Sequence, residues 1–165
     1  LDETFLTTSL RGASRKYLFF DLDINSSQPL ISAMQQAATL CFGSEADIDV
    51  SAATQRAFQK RLRATADLPC EVTNFGAQLF NDGDMGGMIL VDQQQRWVAY
   101  QARPIDVGVF AIDCTQDVGA LQSVRDCFFS IDDVRGWLLQ RAKRERDMVF
   151  NAGEGFLAAL VENYS

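Results

Sequence analysis

The residues of this chain best placed for chemistry are Asp21 and Asp23, which follow the apolar run Leu18-Phe19-Phe20. On an extended strand positions i and i+2 point to the same face, the arrangement that carboxylate-and-metal chemistry needs. Two aspartates on a solvated strand face account for the same pattern without any chemistry. The 165-residue sequence contains no histidine. That excludes Ser-His-Asp and Cys-His nucleophile pairs, histidine-ligated metals and imidazole proton transfer. Carboxylates, Lys, Tyr, Arg and Cys remain.

The string Phe19-Phe20-Asp21-Leu22-Asp23-Ile24 resembles the first motif of haloacid-dehalogenase-like phosphatases. The resemblance implies Asp21 as nucleophile, Asp23 as acid/base and Mg²⁺ as counter-ion. It covers about six residues. The small hydroxyl or apolar pair that follows in that family is replaced by Asn25-Ser26, and Asp132-Asp133 sits at a helix start, where a first-turn acid explains it. Asn81-Asp82-Gly83-Asp84-Met85-Gly86-Gly87 has the composition of a hairpin connection, and it lacks the spaced oxygen ligands and final Glu of a helix-loop-helix calcium site. Cys41, Cys70, Cys114 and Cys127 show no metal or redox spacing and are expected as reduced thiols, with a bridge involving Cys114 and Cys127 left open. No metal or cofactor is called for.

The elements that must position these residues predict an α+β domain spanning residues 1–165. Its expected centre is an antiparallel β-meander of about five strands, with helices from both chain ends packed on one face. The first strand is expected over 16–24. Leu30, Ile31, Met34, Ala37, Ala38, Cys41 and Phe42 recur at helical spacing up to Gly43. A second helix is expected after Ser51, with Ala57, Phe58 and Leu62 inward, Arg56, Lys60, Arg61 and Arg63 outward, and Pro69 as its stop. Segments 70–80, 87–92, 96–103 and 105–113 read as short strands joined by tight turns. A short helix is expected over 117–126. Ser130 and Asp133 open another that carries Val134, Trp137, Leu138 and Ala142, and a last amphipathic turn or two runs through Phe156, Leu157, Leu160 and Val161. The cluster Arg141–Arg146, interrupted by Glu145, reads as a solvated helix face with internal ion pairs.

Net charge is −7 and unevenly spread: residues 51–69 carry +3, and residues 70–133 hold ten acids against three bases. Such a field disfavours nucleic-acid phosphate and favours a basic protein partner. No apolar run approaches the ~20 residues a membrane helix requires. The opening LDETFLTTSL has no basic region followed by a hydrophobic segment, so a cytoplasmic location is expected. In size, charge and the strand-rich stretch from Gly86-Gly87-Met88-Ile89-Leu90-Val91 to Gly108-Val109-Phe110-Ala111-Ile112-Asp113, the chain resembles immunity proteins of bacterial polymorphic-toxin and contact-dependent inhibition systems. The resemblance implies an inhibitor of a basic, nuclease-like toxin. The interface candidates are Asp82, Asp84, Asp92, Asp106 and Asp113, with an exposed sheet edge as a further docking route.

Overall fold

The first expected strand forms but stops early. In the computed structural model, which describes residues 15–44, 46–55 and 59–164, strand β1 is Arg15–Phe20, and the chain turns away at Asp21. Asp21 and Asp23 therefore lie in a turn and do not share a strand face. Helix α1, Gln28–Phe42, follows. The Ser27 hydroxyl accepts from the Leu30 amide, Pro29 occupies the first turn, and Gly43 closes the helix at φ 66°, its amide donating to the Thr39 carbonyl.

The next segment departs from expectation. The helix proposed after Ser51 is replaced by strands β2, Ile48–Ala52, and β3, Lys60–Leu62. Ile48 and Val50 alternate with Asp49 and Ser51, a period of two. Arg56, Ala57 and Phe58 lie outside the described residues. Pro69 starts a helix instead of ending one: α2 is Leu68–Asn81, with proline in its first turn, where the missing N–H costs nothing. The strand expected over 70–80 is thus helical, with Leu68, Val72, Phe75, Gly76 and Leu79 forming one buried stripe at steps of three and four.

Strands β4, Gly87–Asp92, β5, Trp97–Ala102, and β6, Gly108–Asp113, form the expected meander. The α+β class holds, with six strands in one antiparallel sheet ordered β1-β6-β5-β4-β2-β3. After a 3₁₀ turn at Val118–Ala120 come α3, Gln122–Cys127, α4, Ile131–Leu138, α5, Lys143–Ala152, and α6, Glu154–Tyr164. Ser130 and Asp133 form a capping box at the start of α4.

Helices cover both faces of the sheet, not one. Phe20, Leu90, Ala99 and Phe110 pack with α1, α2 and α3. Phe19, Ile89, Val98 and Val109 pack with Val134, Val149, Leu157 and Leu160 of α4–α6. The cause lies in the strands: consecutive residues are apolar, as in Phe19-Phe20 and Ile89-Leu90, so both faces must be shielded from water. The chain passes from one layer to the other around the β1 edge. There Phe128 packs edge-on to Phe20 and tilted against Phe110, and Phe129 bridges Phe19 by paired backbone bonds of 2.8 and 2.9 Å. The opposite edge, β3, is three residues long and bears Lys60 and Arg61, features that discourage strand addition. Cys41 at the end of α1 and Cys114 just beyond β6 form a disulfide, with Cα atoms 5.5 Å apart. This corrects the expectation of four reduced thiols; Cys70 and Cys127 are the free pair.

Candidate binding cleft

The antiparallel order brings the end of β1, the start of β4, the end of β5 and the start of β6 to the same end of the sheet, since Phe20 pairs with Gly108 and Gly87 with Ala102. The connecting segments at that end enclose a cleft of about 830 Å³.

The first wall is the turn after β1. Asp23 accepts from the Asn25 backbone and side-chain amides at 3.2 and 3.0 Å and from the Ser26 hydroxyl at 3.0 Å. The turn is held from beneath by Gln101, buried in β5. The Gln101 Oε1 accepts from the Ile24 amide at 2.8 Å, and its Nε2 donates to the carbonyls of Leu22 and Asp106 at 3.2 and 2.6 Å. One side chain thereby joins two walls of the cleft.

The second wall is α2, through Thr73, Ala77, Phe80 and Asn81. Gly76 allows the helix to approach so closely, because a Cβ there would lie 2.2 Å from the Asn25 carbonyl oxygen. The third wall is the α2–β4 turn. Asp84 accepts from the Thr54 hydroxyl at 2.5 Å and the Gly86 amide at 2.9 Å. Those two bonds, the hydroxyl's foremost, hold its carboxyl below the usual carboxylate range. Phe80 and Met85 flank this turn with 66% and 64% of their surface in solvent, among the most exposed large apolar residues described. The fourth wall is the β5–β6 turn, where Arg103 ion-pairs with Asp106 and reaches Asp23 at 3.6 Å.

Of the residues singled out from the sequence, Asp84 and Asp106 line the cleft, and so does Asp23 from the phosphatase-like pair. Asp21 is exposed and is not one of the lining residues. Asp82 caps the end of α2 beside the cleft. The remaining two are elsewhere. Asp92 is fully buried at the opposite end of the sheet, where it binds Arg96 through two bonds of 2.9 and 3.0 Å across the β4–β5 turn. Asp113 is half-buried there too, opposite Arg15 in the β1–β6 ladder. Asp92 is unavailable to a partner because its charge is already desolvated and matched. The sequence reading missed Gln101, Arg103, Phe80 and Met85. Two large apolar residues bracketing the turn Asn81-Asp82-Gly83-Asp84 were the available signal for Phe80 and Met85; a glutamine inside a strand carries none.

Among the described lining residues, three carboxylates and one guanidinium leave an excess of two negative charges beside an apolar patch. Its lining contains, among the described residues, neither lysine nor cysteine nor tyrosine. On the far helical layer Arg141, Lys143, Arg144 and Arg146 are exposed. Among the described residues no ion pair links them to Glu145 or Asp147, because Glu145 folds back to cap the Ala142 amide. Comparison with family models, with curated proteins and with solved structures finds no match for this chain.

Proposed function

We propose that the protein acts by binding, as an inhibitor that takes a basic region of a partner protein into the acidic cleft. The observation that carries this reading is the convergence of Asp23, Asp84 and Asp106 from three separate segments onto one 830 Å³ cleft beside exposed Phe80 and Met85. Carboxylates held in place before binding lose little entropy on meeting a cation, and an adjacent apolar patch supplies affinity that charge alone does not. In its finer form the partner is a nuclease-like toxin whose substrate groove is basic, and this chain is its immunity protein. The acidic face then competes with nucleic-acid phosphate for the same lysines and arginines.

The sequence leads one to expect the cytoplasm. The Cys41–Cys114 bridge is of the kind that persists in an oxidising compartment, which supports inhibition of a basic protein in general more than the nuclease-toxin form. The carboxylate-and-metal reading loses support from the geometry, since Asp21 is exposed and is not among the cleft-lining residues, while Asp23 is engaged by Asn25 and Ser26.

The deciding experiment is co-purification with the product of a neighbouring toxin-like reading frame, using wild type and an Asp84→Asn/Asp106→Asn double variant. A complex that inhibits the toxin and weakens at least tenfold in the double variant supports the proposal. Full toxin activity in the presence of excess wild-type protein sinks the immunity form. Unchanged affinity of the double variant sinks the cleft as the binding face.

A further inference from the structure

The cleft already holds one basic side chain, its own. We infer that Arg103 is a built-in occupant of the acidic subsite formed by Asp23 and Asp106, and that an arginine of the partner displaces it on binding. This rests on the reading of the cleft as a receptor for basic segments.

Arg103 is not needed to build the subsite. Asp23 is set by the Asn25 amides and the Ser26 hydroxyl, and the backbones on both sides of the subsite are fixed by the buried Gln101 amide. The Arg103 backbone is likewise anchored, its amide donating to the Gly86 carbonyl at 3.0 Å. Only the side chain would have to move. It is 42% exposed, paired with Asp106 in its own turn and at 3.6 Å from Asp23. Ion pairs this open to water are weak, so the guanidinium can leave at small cost.

What it leaves behind is the Asp23 carboxylate, oriented by Asn25 and Ser26, and Asp106 on a backbone anchored by Gln101. Arg103 itself already shows that the pair accepts a guanidinium. A partner arginine gains what Arg103 cannot. The residue next to it in the partner chain can lie on Phe80 and Met85, whose apolar surface faces solvent in the free protein. The fourth charged group, Asp84, makes no ion pair among the described residues and supplies the uncompensated charge that draws the cation in. The occupant is therefore an arginine flanked by an apolar residue on a protein segment. Displacement rather than simple addition explains why an acidic cleft would carry an arginine in its wall: it screens the site from weaker cations.

The probe is acetyl-Leu-Arg-Leu-amide, with the citrulline analogue as a neutral isostere, titrated into ¹⁵N-labelled wild type and Arg103→Gln. Amide shifts at Ala77, Met85 and Asp106 report cleft occupancy, and spectral dispersion reports folding. The expected result is about two- to fivefold tighter binding of the arginine probe by Arg103→Gln, the range a displaced surface ion pair allows. The citrulline probe should show no such gain, and adding Asp106→Asn should abolish it. Equal or weaker binding of the arginine probe by Arg103→Gln overturns the displacement role while leaving the cleft a receptor, provided wild type shows the shifts. Absence of cleft shifts in both proteins overturns the receptor reading itself. Arg103→Ala serves as a second variant should the glutamine hydrogen-bond to Asp106.

Discussion

Gln101 is uncharged and out of reach of any ligand, yet it determines where two of the cleft's carboxylates sit. Its amide meets the Ile24 N–H and the carbonyls of Leu22 and Asp106, so replacing it strands buried polar groups as well as removing bonds. Gln101→Leu should cost about 2–4 kcal/mol of stability, measured by urea unfolding, and should weaken binding of a cationic peptide even where the variant is fully folded. A loss below about 0.5 kcal/mol would mean the three segments are held by something else. Asp92 and Asp82 give a matched contrast. Asp92→Asn breaks a buried pair with Arg96 and should cost about 3 kcal/mol, whereas exposed Asp82→Asn should stay within about 0.5 kcal/mol in the same assay. From the sequence both were acids in or beside a turn, and nothing in composition separates them. The distinguishing feature was the arginine four residues beyond Asp92, which a tight hairpin folds back onto the carboxylate. Arg96 also lies over the Phe42 ring at 4.4 Å, so the pair stitches the turn to α1. Acids were legible as a class, but their separation into paired and available depends on residues that the fold brings near.

At the scale of elements, the meander was legible because each of its strands is bounded by turn residues, and α1 because its cap, proline and glycine all agree with its apolar spacing. The stretch from Ser51 to Asn81 was not. There Pro69 is equally compatible with the end of one helix and the first turn of the next, and only the stripe Leu68, Val72, Phe75 and Leu79 decides between them. Gly76 adds no support for a helix there. In a helix interior glycine normally signals a break, and here it is retained because α2 touches the Asn25 backbone. The contact reverses the sign of an ordinary substitution. Gly136→Ala in α4 meets nothing within 4 Å and should raise stability by about 0.5–1 kcal/mol through helix propensity. Gly76→Ala gains the same propensity but drives a methyl into the Asn25 carbonyl, and should come out destabilising by about 1–3 kcal/mol. Thermal unfolding of the two variants side by side tests this; two changes of equal sign would show that α2 can slide away from the turn without loss.

At the scale of the molecule, the three-layer arrangement was written in the strands. The runs Met88-Ile89-Leu90-Val91 and Val109-Phe110-Ala111-Ile112 have no polar alternation, the pattern of a strand buried on both sides. An antiparallel meander led to the expectation of one solvated face, and the apolar continuity overrides it. The disulfide ties this arrangement together at the end remote from the cleft, joining one helical layer to the sheet: Cys114 follows the far end of β6, while the cleft lies at the Gly108 end. The bridge spans 73 residues, and a loop of that length is worth about 4 kcal/mol in the chain-entropy account. Reduction should therefore lower global stability by up to that amount while leaving cationic-peptide affinity unchanged in the fraction that remains folded. The same molecule predicts an ordered pattern of thiol labelling. Exposed Cys70 should react in the native state. Cys127 should resist, because burial and, second, the Asp126 charge push its thiol up from its ordinary value, reducing the reactive thiolate. Cys41 and Cys114 should react only after reductant. Labelling followed by mass analysis reads all three classes at once. Four equally reactive thiols in protein purified without reductant would remove the bridge, and with it the support for an oxidising compartment.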